Sequence, residues 1–68
     1  MSDFVSQFLE QDDFDGQGDT FEEAVEDAWK KAKAHDKPPG WFKVKHEWVR
    51  VENPVREYKV IISPGSGP

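Results

Sequence analysis

The sequence predicts a small α+β domain in which one helix packs on an antiparallel sheet in the order β-α-β-β. Three observations predict this class: apolar residues at helical spacing over residues 21–34, a Pro-Pro-Gly stop after them, and two alternating segments joined by a short polar turn. The 68 residues suit a single domain. If the first segment fails to pair, the order becomes α-β-β.

The segment before the helix fits two structures. Its apolar residues have helix-like spacing, but a short strand with both faces partly covered fits them equally well: Phe4, Val5, Phe8 and Leu9. Whether residues 3–10 form a strand or a helix therefore stays open. Residues 10–19 are polar and contain two glycines, which predicts a mobile acidic loop.

The helix is predicted over residues 21–34. One buried stripe has the spacing i, i+3, i+4, i+7 and i+11, with Trp29 at its edge: Phe21, Ala24, Val25, Ala28 and Ala32. Thr20 and Glu23 fit a capping box, in which a hydroxyl and a carboxylate satisfy free backbone N–H groups. The Pro-Pro-Gly sequence at residues 38–40 ends the helix.

Two strands are expected after the helix, at about residues 41–51 and 55–63, with a turn at residues 52–54. One face of the first strand is expected to carry Phe42, Val44 and Trp48. Its other face is expected to carry Trp41, Lys43, Lys45 and Glu47. A three-residue turn predicts the cross-strand pairs Trp48–Tyr58, Val44–Ile62 and Glu47–Lys59. The domain then spans residues 1–63, and residues 64–68 form a flexible tail.

Charge and composition exclude several classes of function. The net charge is −5, which disfavours nucleic acids and anionic membranes as partners. There is no cysteine, so thiolate metal sites, cysteine nucleophiles and disulfide scaffolds are excluded. No apolar run is long enough to cross a bilayer, and the N-terminus lacks the basic region of a secretion signal. We therefore expect a cytoplasmic protein.

The small hydrophobic content favours self-association. Only 35% of the residues are hydrophobic, and a core of this size rarely supplies more than about 3–5 kcal/mol without a disulfide, a metal or a partner chain. Residues 1–28 hold ten acids and no base, whereas residues 29–68 hold nine bases and four acids. Such complementary halves would steer copies together, so a homo-oligomer is expected.

Neither a metal site nor a catalytic site is predicted. The pattern from Asp13 to Gly18 resembles part of a calcium loop, but Ala24 stands at the twelfth position, where a bidentate Glu belongs. The two histidines form no close-spaced pair and no nucleophile triad. His35 is expected to interact with the helix C-terminus, and His46 to be a partly buried strand residue. We expect a protein that is not an enzyme.

Three short motifs resemble the dodecins, a family of small flavin-binding proteins. Phe21-Glu-Glu-Ala-Val25 is similar to the start of that family's helix. Gly40-Trp-Phe-Lys-Val44 is similar to Asp-Trp-Phe-Glu-Val, and Val55-Arg-Glu-Tyr-Lys-Val60 to Val-Ala-His-Phe-Gln-Val. The resemblance covers about residues 20–62. It implies a curved three-stranded antiparallel sheet around one helix, assembled into a hollow twelve-subunit shell that stores or quenches flavins.

The resemblance also implies a binding site. Trp41 matches the tryptophan that stacks on the flavin ring, and Lys59 occupies the place of the glutamine that hydrogen-bonds the ring's edge. The expected function is non-enzymatic binding or storage of a planar aromatic cofactor, FMN or riboflavin, by Trp41 at a subunit interface. The alternative is a ligand-free structural or protein-interaction module with a dodecin-like fold.

Overall fold

The computed structural model describes residues 7–10, 12–54 and 56–65. It contains four elements in the described parts of the chain: β1 (Phe14–Gly18), α1 (Phe21–Ala34), β2 (Phe42–Val49) and β3 (Tyr58–Pro64). Both β1 and β2 pair antiparallel with β3, so the strand order is β1-β3-β2. The predicted α+β class and the β-α-β-β order are confirmed.

The first strand lies where a loop was predicted. Residues 14–18 form β1, so the prediction of a mobile loop over residues 10–19 was wrong for these five residues. The two glycines of β1 face the helix: a Cβ on Gly16 would lie 2.1 Å from the Ala24 carbonyl oxygen, and one on Gly18 would lie 2.7 Å from the Ala24 nitrogen. Glycine inside a strand often marks such a close backbone approach.

The N-terminal segment forms neither a long helix nor a strand in its described part. Gln7 and Phe8 lie in a 3₁₀ turn, and Leu9 follows without regular structure. Phe4 and Val5, which shared the predicted pattern, lie outside the described residues. β1 therefore replaces this segment as the first strand of the fold.

The helix has the predicted bounds and the predicted start. The Thr20 hydroxyl accepts a hydrogen bond from the Glu23 N–H at 3.1 Å, and the Glu23 carboxylate accepts one from the Asp19 N–H at 3.1 Å. The small side chains of the stripe are fully buried: Ala24, Ala28 and Ala32. Phe21, predicted at the start of the stripe, is 40% exposed. Alanine on the helix and glycine on β1 together allow the close packing of these two elements.

A β-bulge changes the predicted register of the hairpin. Val44 lies opposite Ile62 as expected, but His46 lies opposite Ile61, which leaves Lys45 as the extra residue. From this point the pairs are shifted by one residue, so Trp48 lies opposite Lys59. The predicted Trp48–Tyr58 and Glu47–Lys59 pairs were therefore wrong: Tyr58 lies opposite Val49, and Val60 opposite Glu47.

The bulge also divides the side chains of β2 differently between the two sheet faces. Phe42 and Val44 lie on the side of α1, as predicted, whereas Trp48 lies on the outer side, away from the helix. His46 shares that outer side and is partly buried, as expected. The strands are shorter than predicted near the turn, with β2 ending at Val49 and β3 beginning at Tyr58. β3 extends to Pro64, which was expected to begin the tail.

Both sides of the sheet contain buried side chains. The core between α1 and the sheet contains Phe14, Val60 and Ile62 together with the helix alanines. On the outer side, Ile61 has no exposed surface. Phe8 covers part of that side, with its ring centroid 5.1 Å from that of His46 and 5.3 Å from that of Trp48. The N-terminal turn thus adds a second, smaller aromatic layer to the fold.

Among the described residues, no helix has the length and apolar character that crossing a membrane requires.

Candidate functional site

A mostly apolar groove of about 470 Å³ lies between α1 and the start of β2. Its lining comes from the helix flank, the Pro-Pro-Gly connection and the sheet: Val25, Glu26, Trp29, Pro39, Gly40, Trp41, Phe42 and Ile62. The volume falls in the range of about 300–1,000 Å³ that is typical of small-molecule sites. The groove is therefore large enough for a planar aromatic ring system.

The helix side of the groove follows from spacing along α1. Val25 and Trp29 are four residues apart, so they lie one above the other on the same flank of the helix. The Trp29 ring packs edge-on against Phe42 of β2, with the ring centroids 5.5 Å apart and the planes at 68°. This contact fixes the distance between the helix flank and the start of β2.

The connection between α1 and β2 positions Trp41. Gly40 has a φ of +156°, in the region that favours glycine, directly before the tryptophan. The Trp41 carbonyl accepts a hydrogen bond from the Gly65 N–H at 3.0 Å, which ties the connection to the end of β3. The Trp41 residue is nonetheless 65% exposed. The structure thus places an indole at the mouth of the groove with most of its surface in solvent.

The structure does not bring Lys59 to this groove within one chain. Lys59 lies on the outer side of β3, opposite Gln17 and Trp48. Its ammonium is 3.9 Å from Glu57 Oε2, and its side chain is 22% exposed. The backbone of Trp41 is hydrogen-bonded to Gly65, which lies six residues after Lys59. At the rise of a strand, Lys59 and Gly65 are roughly 20 Å apart.

Several groove residues were not predicted as site residues from the sequence. Val25 and Ile62 were assigned to the core, and Trp29 to the edge of the helix stripe. The sequence did contain one signal for these residues. Val25 and Trp29 make the apolar face of α1 wider than the alanines that pack on β1, so part of this face remains available to line a groove. Glu26 gave no signal, since an acid in the middle of an amphipathic helix normally faces solvent.

The groove lining fits the face and part of the edge of a flavin ring. An isoalloxazine has two apolar faces, and its polar edge contains an N–H donor and carbonyl acceptors. Glu26 supplies a carboxylate acceptor, and the indole N–H groups of Trp29 and Trp41 are donors. The chemistry of the lining therefore matches a planar heteroaromatic ligand.

A second cavity, of about 510 Å³, lies near the C-terminal end of α1 beside His35. Its three aspartates each pair with a lysine: Asp12 with Lys37 at 3.2 Å, Asp13 with Lys45 at 3.0 Å, and Asp15 with Lys31 at 3.1 Å. The carboxylates of the calcium-like pattern are therefore already neutralised by ammonium groups. No group of three or more His, Asp or Glu side chains is arranged to hold a metal in the described ranges.

Comparison with family models, curated proteins and solved structures finds no match to this chain.

Proposed function

We propose that the groove binds a planar aromatic ligand, with a flavin as the first candidate, and that the protein holds this ligand without transforming it. The observation that carries the proposal is that Trp41, a residue 65% exposed, lines an apolar groove of about 470 Å³. Binding a ligand against this exposed indole is favourable, because the ligand removes the apolar face of the ring from water. The motifs over residues 20–62 that resemble dodecins support a flavin as the ligand.

Stacking supplies the affinity in this proposal. An aromatic pair contributes about 0.5–1.5 kcal/mol beyond the area that it buries. The ligand ring would lie against Trp41, with Trp29 and Phe42 as the inner wall of the groove. Glu26 is the one ionisable side chain of the lining. It would accept a hydrogen bond from the N–H of the ring, and with no nucleophile beside it, the proposed role is binding alone.

Charge favours a neutral ligand over a phosphorylated one. The chain carries a net charge of −5, and Glu26 adds a negative charge inside the groove. A phosphate attached to the ligand would be repelled by both. We therefore expect riboflavin to bind more tightly than FMN, and riboflavin is the better probe.

A second copy of the chain completes the proposed site. A ring stacked on Trp41 of one chain has one face covered and one face in solvent. A homo-oligomer that pairs two such grooves would cover the second face. Ligand binding and self-association are then linked, so each strengthens the other.

The test is a titration of riboflavin fluorescence with the purified protein. The wild type is expected to quench the emission, and Trp41→Ala to bind at least tenfold more weakly, which is about 1.4 kcal/mol. Trp41→Phe keeps a ring and should retain part of the affinity. Val51→Ala is the control, because Val51 is 85% exposed and lies outside the groove. Absence of quenching by the wild type, or equal affinities for wild type and Trp41→Ala, would refute the proposal.

Light scattering tests whether riboflavin binding is linked to self-association. The mass is expected to rise when riboflavin is added, and this rise should be lost in Trp41→Ala. A mass that corresponds to one chain with and without saturating riboflavin would restrict the site to a single subunit.

A further inference from the structure

The single helix leaves part of the sheet uncovered on its own side. An α-helix with its side chains is about 10–12 Å wide, and neighbouring strands are about 4.7–4.9 Å apart, so one helix covers about two strands. In this fold α1 packs mainly on β1 and β3. The helix backbone therefore does not cover β2, although the Trp29 ring of α1 packs on Phe42 at the start of this strand.

The uncovered strip presents apolar side chains. Residues 42, 44, 47 and 49 of β2 lie on the helix side, and we call them the open face. Val44 is 39% exposed and Val49 is 44% exposed. The register places them there, because Val44 lies opposite the core residue Ile62 and Val49 lies opposite Tyr58, which packs against the core. The β-bulge keeps both valines on this side although they are an odd number of residues apart.

The charges around the open face are mainly acidic. Glu47 belongs to the face, opposite Val60. Glu22 and Glu26 lie on the flank of α1 that Val25 and Trp29 occupy, by their three- and four-residue spacing. The three glutamates form no ion pair within the part of the chain that the structure describes. Lys33, four residues after Trp29, is the one base on this flank.

We propose that the open face docks an amphipathic helix of a partner protein, with apolar residues toward the valines and lysines or arginines toward the three glutamates. Helices that bind in apolar grooves use this arrangement. The three glutamates favour a cationic partner and speed its association with the open face. A second copy that docked through its own open face would place the same glutamates opposite these glutamates, so the open face suits a cationic partner better.

The open face adjoins the proposed ligand groove, because Phe42 belongs to both and Glu26 lines the groove. Val44, Glu47 and Val49 do not line the groove, so substitutions there leave its walls intact. Conversely, Trp41 is not part of the open face. The two proposals can therefore fail separately.

The experiment uses a fluorescently labelled synthetic amphipathic helix made of leucine and lysine, and a counterpart in which glutamate replaces lysine. Anisotropy is expected to show binding of the lysine peptide that weakens with added salt, and no binding of the glutamate peptide. The double variant Val44→Thr/Val49→Thr keeps the shape and net charge and should bind about tenfold more weakly. Val51→Thr is the matched control and should bind like the wild type.

A pair of variants with the same change in charge tests the role of the glutamates. Glu47→Gln should weaken binding of the lysine peptide severalfold, whereas Glu52→Gln, in the turn and away from the open face, should not. Circular dichroism confirms that each variant is folded. Riboflavin quenching should be unchanged in the valine variant, and peptide binding unchanged in Trp41→Ala, which separates the two proposals.

Three results would overturn the inference. The first is no binding of the lysine peptide by the wild type. The second is equal binding of this peptide by the wild type and by the folded Val44→Thr/Val49→Thr variant. The third is a peptide-free dimer that the same two substitutions dissociate, because a second copy would then be the occupant of the open face.

Discussion

Asp13 and Lys45 form an ion pair across the outer side of the sheet, with Asp13 Oδ2 3.0 Å from Lys45 Nζ. Asp13 directly precedes β1, and Lys45 is the extra residue of the bulge in β2, so the pair joins the two edge strands over β3. The Asp13 side chain is 2% exposed, and it also accepts a hydrogen bond from the Glu10 N–H at 3.0 Å. One carboxylate thus connects the N-terminal turn and both edges of the sheet.

Removing the charge of Asp13 should destabilise the fold more than removing an exposed charge beside it. Asp13→Asn removes the ion pair with Lys45. The remaining acidic partner of Lys45 is Glu10, whose Oε1 is 3.3 Å from Lys45 Nζ and whose side chain is 76% exposed. Asp12→Asn is the matched control: Asp12 is 59% exposed, and asparagine tolerates its φ of 72°. The control should cost less than about 1 kcal/mol. Urea unfolding of both variants checks the order, and equal losses would contradict the role given to Asp13.

The contribution of Lys45 should disappear at high pH. The hydrogen bond to Asp13 raises the pKa of Lys45 above its ordinary value of 10.5, against an opposing effect of desolvation and with help from Glu10. Because the folded state favours the ammonium form, the stabilisation is complete below pH 10.5 and is lost as the pH rises through the higher folded value.

The measurement is the urea midpoint of the wild type and of Lys45→Met from about pH 8 to about pH 11. The wild type should be the more stable at the lower pH, and the difference should shrink toward the upper end. Other titrating groups affect both proteins alike, so they cancel in the difference. A difference that stays constant over this range would show that the Lys45 charge does not stabilise the fold.

A methyl group at position 16 should disrupt the packing of α1 on β1. Gly16→Ala places a Cβ 2.1 Å from the Ala24 carbonyl oxygen and 2.4 Å from the Ala28 nitrogen, which are backbone atoms of the helix. Overpacking of this kind costs about 1–3 kcal/mol and in severe cases more. Gly65→Ala is the control, because its nearest contact is an ordinary 3.8 Å. Thermal unfolding should show a large loss for the first variant and almost none for the second.

Phe8 should stabilise the domain although its exposure equals that of Phe21. Both residues are 40% exposed, but Phe8 contacts the rings of His46 and Trp48. Aromatic contacts contribute about 0.5–1.5 kcal/mol each beyond the area buried. Phe8→Ala should therefore lower the melting temperature and change Trp48 fluorescence more than Phe21→Ala does. Equal effects of the two variants would mean that the N-terminal turn does not cover the outer side of the sheet in solution.

The helix could be predicted with its approximate bounds because several independent signals agree there. The alanine stripe has the helical period, Thr20 and Glu23 mark the start, and the proline pair marks the end. β1 gave no such agreement, because glycines and acids are typical of loops. β1 requires glycine at positions 16 and 18 because the helix backbone packs directly on the strand there. This contact cannot be inferred from the local sequence.

The hairpin shows a different limit. Alternation predicted both strands and the Val44–Ile62 pair, but a bulge is a single extra residue that leaves no mark in the pattern. It moved Trp48 to the outer side and brought Glu47 to the side of α1. At the candidate site, Trp41 was predicted from the resemblance to the dodecins and was expected on the strand face opposite Phe42, whereas both residues line the groove. Its groove neighbours Trp29 and Glu26 depend on how the helix sits over the sheet, which periodicity alone does not determine.

The bulge at Lys45 has a consequence for how the protein behaves when it is concentrated. β2 is an outermost strand of the sheet, and a regular outermost strand offers a row of free amide and carbonyl groups on which other chains polymerise. The extra residue interrupts that row midway. The irregularity that complicates the register therefore also protects the chain from growing into fibrils along this edge.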